Sequence, residues 1–217
     1  MSEPQSIQDL VQRAFESWQQ LPPEMREEQY PPHEDRAHRE RQHRIDDAAL
    51  RIPARYRTAE TDMVLGDHGL YLWGGVGTGK THTAAALALQ AINKGLIVRW
   101  VTGSAWLAAI RASFSGAVAP ETPQELASCH LLVIDDLGAE KPSEWAVEQL
   151  LMLVNLVYER DALVIVTSNL RLRDLNKRLG QRITSRLIEL CDPVELTGAD
   201  RRIAIAHARQ TEGNGHA

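Results

Sequence analysis

Short apolar runs alternate with stretches of helical spacing along most of this chain. Gly69-Leu70-Tyr71-Leu72-Trp73 is a brief apolar run that suits a buried strand, and the Ala- and Leu-rich residues from Thr81 to about Asn93 suit a helix. Asn93-Lys94-Gly95 ends that helix, and Ile97–Val101 reads as a second strand. Trp106, Leu107, Ile110 and Phe114 fall on one stripe of a helix that Ser104 can cap and Ser115-Gly116 ends. A loop with Pro120 and Pro123 leads to a short helix reaching about Ser128. Leu131–Ile134 is a third strand, apolar on both faces, as strands inside a parallel sheet are. Ser143 caps a long helix to about Arg160, and Leu163–Thr167 is a fourth strand. Helices follow at Leu172 to Leu179 and Arg182 to about Ile188, then a fifth strand at Pro193–Leu196 and a last helix from about Asp200 to His207. The polar, Gly-rich tail from Gln210 to Ala217 is expected to be disordered. This strand–helix alternation predicts an α/β fold on a parallel sheet.

The first fifty residues follow another pattern. Ile7, Leu10, Val11, Ala14, Phe15, Trp18 and Leu21 recur at three- and four-residue spacing, which predicts one amphipathic helix stopped by Pro22-Pro23. After Tyr30-Pro31-Pro32, residues from His33 to Asp47 mix Arg36, Arg39, Arg41 and Arg44 with five acids, the pattern of a solvated helix. His33, His38 and His43 are spaced by five, so they spiral around a helix where metal ligands prefer i, i+4. The chain therefore divides into a helical N-terminal segment, 1–50, expected to bind a partner, a main domain, 51–209, and the tail 210–217. Arg51 to Arg57, basic with one aromatic, either lines a ligand pocket or simply connects the two parts; the connector reading is slightly favoured.

Composition narrows the function classes. At 217 residues, with 43% hydrophobic and 24% charged, the chain has the make-up of a globular protein. No run of 18 apolar residues marks a membrane span, and the N-terminus lacks the basic and apolar regions of a secretory signal. Cys129 and Cys191 are far apart, which fits reduced core thiols of a cytoplasmic protein and supplies no zinc site. A net charge of −5 means that any nucleic-acid contact must be local.

The chemistry concentrates after the first strand. Gly74-Gly75-Val76-Gly77-Thr78-Gly79-Lys80-Thr81 reads G-x-x-x-x-G-K-[ST], the Walker A pattern, with the strand before it and the helix after it that the motif needs. Its glycines let backbone N–H groups cradle phosphate oxygens at a helix N-terminus. Lys80 is expected to reach the β- and γ-phosphates and the Thr81 hydroxyl to hold Mg²⁺. Leu131-Leu132-Val133-Ile134-Asp135-Asp136 is a Walker B pattern: four apolar residues deliver Asp135 to the Mg²⁺ side, and Asp136 can orient or deprotonate the attacking water. Two acids ending a buried strand are costly unless a cation joins them. Thr167-Ser168-Asn169 ends the fourth strand at the same sheet edge, so Asn169 either binds the γ-phosphate or its water, or serves only as a turn residue.

The set GGVGTGKT, LLVIDDLG, VTSN, ITSRL and TGADRR resembles the AAA+ ATPases of the DnaC/IstB-like group, bacterial and phage helicase loaders and transposition helper ATPases, over roughly residues 50 to 208. The resemblance implies a five-stranded sheet of order 5-1-4-3-2, no C-terminal helical lid, ATP as the nucleotide, and ATP-bound homo-oligomers. It implies sensor roles for Asn169 and for Arg202, and for Arg186 the role of an arginine finger acting on a neighbouring subunit's ATP. It also implies single-stranded DNA contacts just after Walker B, at Lys141, Ser143 and Trp145, with Arg111 a weaker candidate. Ser143 and Trp145 have bland readings beside this one, a helix cap and a core aromatic. Two departures stand out: Asp136 replaces the Glu of many AAA+ proteins, so hydrolysis is expected to be slow, and the N-terminal segment lacks the cysteine cluster of loaders with a zinc-binding head. The reading is thus a helicase-loading ATPase whose residues 1–50 meet a replicative helicase. The alternatives are a transposition helper with a transposase partner, or a nucleotide-gated binding module with negligible hydrolysis.

Overall fold

We describe a computed structural model of the chain, which defines residues 48–139, 143–198 and 200, together with Gln42 and Ile45. The chain divides into two compact units, 1–46 and 47–217, and all that follows concerns the second. The amphipathic helix expected at 7–21, the histidines at 33, 38 and 43, the helix expected at 200–207 and the tail lie outside the described residues. Gln42, Ile45, Ala48 and Ala49 are helical, as expected of the charged run.

Five strands, β1 (Gly69–Trp73), β2 (Val98–Thr102), β3 (Leu131–Asp135), β4 (Leu163–Ser168) and β5 (Cys191–Glu195), form one all-parallel sheet of order β2-β3-β4-β1-β5. This is the expected order 5-1-4-3-2 read from the other edge. Six helices join them: α1 (Lys80–Asn93), α2 (Gly103–Ser113), α3 (Pro123–Leu126), α4 (Glu144–Glu159), α5 (Leu172–Leu179) and α6 (Gln181–Leu190). A 3-10 turn, Ala54–Tyr56, precedes β1. β5 starts two residues before its expected position; Cys191 pairs with Gly69 although Asp192 and Pro193 are exposed, because an edge strand needs few apolar side chains.

The interior strand β3 is buried at all five positions, which is why its sequence is apolar without alternation. Tyr71, Leu132, Ile134, Val164 and Val166 join a core with Trp106 and Leu107 of α2, Leu150 and Leu153 of α4, and Ile183 and Leu187 of α6. The alternate residues Leu72, Leu131, Val133 and Ile165 are equally buried, and α1 packs across β1, β3 and β4 with an alanine-rich face.

Two local expectations fail in α2. The helix starts at Gly103, after Thr102, so Ser104 lies inside its first turn and caps nothing. Phe114 was placed on the buried stripe with Trp106 and Leu107, but it follows the last helical residue and is 76% exposed. The helix ends one position too early to carry it inward. Ser143 does cap α4, accepting from the Ala146 N–H at 3.3 Å.

Candidate nucleotide site and its neighbourhood

The loop that leaves β1 at Trp73 enters α1 at Lys80, and at two positions its backbone has room for glycine alone. Gly74 has φ +152 and Gly77 φ +78; a Cβ would strike the Leu196 carbonyl at the first and the Asp200 carboxylate at the second. The N-cap residue of α1 is Gly79, which has no side chain to cap the helix, and the positive end of the helix dipole faces the loop. Lys80 is only 8% exposed, and its Nζ donates to the carbonyls of Gly74 at 3.0 Å and Gly75 at 2.6 Å.

The parallel register brings the ends of β1, β3 and β4 to one edge. The Thr81 hydroxyl donates to Asp135 Oδ1 at 2.9 Å, and the Thr167 hydroxyl donates to the same oxygen at 2.7 Å. Burial pushes the Asp135 carboxyl above the usual carboxylate range, and neighbouring Asp136 adds to this; Thr167, Thr81 and Lys80 act in the opposite direction. A buried acid with hydroxyl donors and a second acid beside it has the donor chemistry for a hard divalent cation, so Thr81 and Asp135 fit Mg²⁺. Asp136, one residue past β3, sits at φ +56, and Asn169 Nδ2 donates to its Oδ1 at 3.4 Å.

These groups share one cavity of about 420 Å³ with Val76, Gly77 and Gly79 of the loop. The cavity also receives His82 and Thr102, to which the sequence reading gave no role, together with Thr167 and with Arg55 and Tyr56 of the stretch read as either pocket lining or connector. The connector reading of Arg51–Arg57 is therefore corrected, since Arg55 and Tyr56 line the pocket. Tyr56 meets His82 edge-on, with ring centroids 6.5 Å apart, and the Arg55 guanidinium lies 5.1 Å from the Tyr56 ring. The one signal for this was a lone aromatic in a basic segment; nothing local says that the segment returns to the loop.

The residues expected to meet DNA gather at the start of α4. Arg111 Nη2 donates to the Ser143 hydroxyl at 3.0 Å, and its guanidinium lies 4.7 Å from the Trp145 ring centroid. Phe114 stands edge-on to the same ring at 6.5 Å. Trp145 is half-buried and packed against the core, so it is neither a free platform nor a core aromatic. Lys141 and Arg202 lie outside the described residues. Arg186 projects from α6 to lie 4.2 Å from the Tyr158 ring and to pair with Glu189 at 3.1 Å.

With this geometry established, comparison with known proteins is decisive for the family. The model of the IstB-like ATP-binding proteins matches residues 23–207. The chain belongs to that family. The match begins at residue 23, so the likeness reaches further into the N-terminal segment than the expected limit near residue 50. The replicative helicase loader DnaC of Escherichia coli strain K12 is 27% identical over 117 residues, 51% of this chain and 46% of that protein. An IS21-like insertion-sequence ATP-binding protein of Bacteroides fragilis is 29% identical over 140 residues, 63% of this chain and 53% of that one. A crystal structure of the DnaC helicase loader superposes with a TM-score of 0.57 at 22% identity, over 67% of this chain and all of that one, and shares the fold. The chain spans between 31% and 53% of the length of the curated relatives it matches, DnaA replication initiators among them. Family and fold agree: this is an ATP-binding P-loop domain of the AAA+ class and the DnaC/IstB-like group.

Proposed function

We propose that the chain is a slow, Mg²⁺-dependent ATPase that binds single-stranded DNA and assists the loading of a replicative helicase from the cytoplasm. The observation that carries the enzymatic part is the closed set of contacts joining Thr81, Asp135, Asp136, Thr167 and Asn169 across three strand ends. Thr81 and Asp135 would hold Mg²⁺, which when bound neutralises phosphate charge. Lys80 supplies a fixed positive charge to the β- and γ-phosphates, Asp136 takes up or orients the proton of the attacking water, and Asn169 steadies Asp136. Arg186 would complete the site of a neighbouring copy, so that hydrolysis requires a homo-oligomer, and Arg202 would sense the phosphates from the C-terminal side.

The DNA reading rests on the half-buried Trp145 with Arg111, Ser143 and the exposed Phe114 around it, and on Lys141 nearby in sequence. Aromatic faces and a cation stack on bases without reading sequence, and a hydroxyl binds phosphate. The helicase as client is supported by the likeness to the E. coli loader, with residues 1–50 as the contact. The IS21-like relative supports a second reading, a transposition helper with a transposase as client.

Phosphate release measured with and without single-stranded DNA tests the enzyme, with Asp136→Asn expected to keep ATP binding and slow turnover by about 10²-fold. Wild-type turnover in Asp136→Asn overturns the role of Asp136, and no turnover in the native chain under any condition leaves only a nucleotide-gated binding module. Co-purification of the full chain with a replicative helicase or with a transposase separates the two clients.

A further inference from the structure

Asp135 and Asp136 are adjacent, yet the reading above gives them different tasks. Two neighbouring acids at a strand end do not divide their work unless something turns their side chains to different places. The residue in contact with both is Thr167, on β4. It is 1% exposed, and its hydroxyl makes two bonds of opposite sense. It donates to Asp135 Oδ1 at 2.7 Å and accepts from the Asp136 N–H at 2.8 Å. A hydroxyl has one proton. Because the Asp136 N–H already supplies the hydrogen of one bond, the hydroxyl's own proton is committed to Asp135 Oδ1.

The backbone takes the same instruction. Asp136 sits at φ +56, a left-handed conformation that costs a non-glycine residue free energy and persists only where its surroundings hold it. Its N–H ends on the Thr167 side chain, and the next N–H, that of Leu137, ends on the Thr167 carbonyl at 2.8 Å. Ser168 extends the clamp by donating to the Leu137 carbonyl at 2.6 Å. The left-handed step at Asp136 is thus pinned from β4 on both sides, and it turns the second acid away from the strand line that carries the first.

We propose that Thr167 is a positioning residue for hydrolysis: one buried hydroxyl orients the Asp135 carboxyl beside Thr81 and holds the left-handed turn that presents Asp136 to Asn169. This rests on the division of roles between the acids given above. Serine keeps the hydroxyl and valine keeps the shape without it, so the two substitutions separate chemistry from packing. Thr167→Val is expected to lower kcat by about 10²-fold, the usual cost of displacing a reacting group by about an ångström. Affinity for ATP in the presence of a chelator should stay within about twofold, because the loop and Lys80 are untouched. Thr167→Ser should recover most of the turnover. A loss of metal-free nucleotide affinity that matches the loss of turnover, or no recovery in a folded Thr167→Ser, indicates a role in holding the fold and overturns the proposal. So does wild-type kcat in a folded Thr167→Val.

Asp136→Asn run in parallel separates the layers: if it hydrolyses normally, the role of Asp136 fails, whereas if it is slow while Thr167→Val is normal, only the role of Thr167 fails. Should Thr167→Val not fold, amide hydrogen exchange of the native protein decides the matter. The Asp136 N–H is expected to be protected as strongly as the core of β3, and rapid exchange at that amide overturns the bond on which the proposal stands.

Discussion

Lys80 and Arg186 are both cations expected to act on phosphate, and their surroundings could hardly differ more. Lys80 is 8% exposed and is held by two carbonyls of its own loop, beside acids that are themselves tied to two threonine hydroxyls. Arg186 has a side chain 37% exposed, stacked on Tyr158 and paired with Glu189 three residues on. Trp145 resembles Arg186 more than Lys80, with Arg111 and Phe114 as neighbours that are themselves exposed. Inside, a polar atom without a partner is costly, so the geometry of the site is tightly determined and the chemistry can be read from it. On the surface, water is an adequate partner, and a long side chain rests on whatever lies close. The inner groups are therefore held within one chain, whereas the role proposed for the outer ones depends on a partner.

The sharpest way to break this contrast is to remove the inner cation. Lys80→Ala is expected to lower turnover by about 10³-fold and to abolish ATP binding at micromolar nucleotide, with the fold retained. Calorimetric titration and phosphate release check it, and normal ATP affinity in the folded variant sinks the nucleotide site.

Arg186→Ala tests whether the outer cation acts only on a neighbour. Its effect on stability should be below about 0.5 kcal/mol, as for an exposed ion pair, while turnover falls by about 10²-fold or more. Mixing it with Lys80→Ala should restore part of the activity, because a Lys80→Ala copy can lend its arginine to the intact site next door. Mixed oligomers that regain nothing contradict the role in trans.

Trp145→Ala should weaken single-stranded DNA binding by about 1–3 kcal/mol if a base stacks there. Its half-buried position also predicts a modest loss of thermal stability, and Arg111→Ala should weaken DNA binding with less effect on melting. A large drop in melting temperature with unchanged DNA affinity would return Trp145 to the core.

The smallest effect is the most diagnostic of burial. Desolvation raises the Asp135 pKa above its ordinary 3.8 in the folded chain. The folded state therefore holds more protons than the unfolded one between that value and the raised one. Stability falls as pH rises through this window, and the cost is fully present above it. Asp135→Asn removes the buried charge, so the nucleotide-free variant should melt higher than the native chain at pH 7, by about 2–4 °C for about 1 kcal/mol. The gain should vanish below the window, and metal-dependent ATP binding should be lost at every pH. A lower melting point at pH 7 would mean that the hydroxyl network favours the charge more than burial opposes it.

Much of the inner site was legible along the chain because it is made of contiguous residues. Gly74 to Thr81 and Leu131 to Asp136 each carry a strand, a turn and their chemistry in one stretch, and the apolar run of β3 announces a strand covered on both sides. The α2 region was read less well. Helical spacing put Phe114 on the stripe of Trp106 and Leu107, but spacing does not say where a helix stops, and the end at Ser113 leaves Phe114 in solvent. Arg55 and Tyr56 were taken for a connector because the return of a loop to a site more than twenty residues on has no local signature.

The sequence by itself determined which residues are the candidates to meet phosphates, because a phosphate cradle needs glycines, a lysine and a hydroxyl in one loop, and a buried acid needs an apolar strand before it. Only the tertiary structure decided what those acids answer to. Thr167 is an ordinary strand residue in the one-dimensional pattern, and it becomes the common partner of Asp135 and Asp136 because the parallel register sets β4 beside β3. Hydrogen bonds reach about 3 Å and ignore separation along the chain, so the partners of a buried group are chosen by strand pairing and by no spacing that a sequence displays.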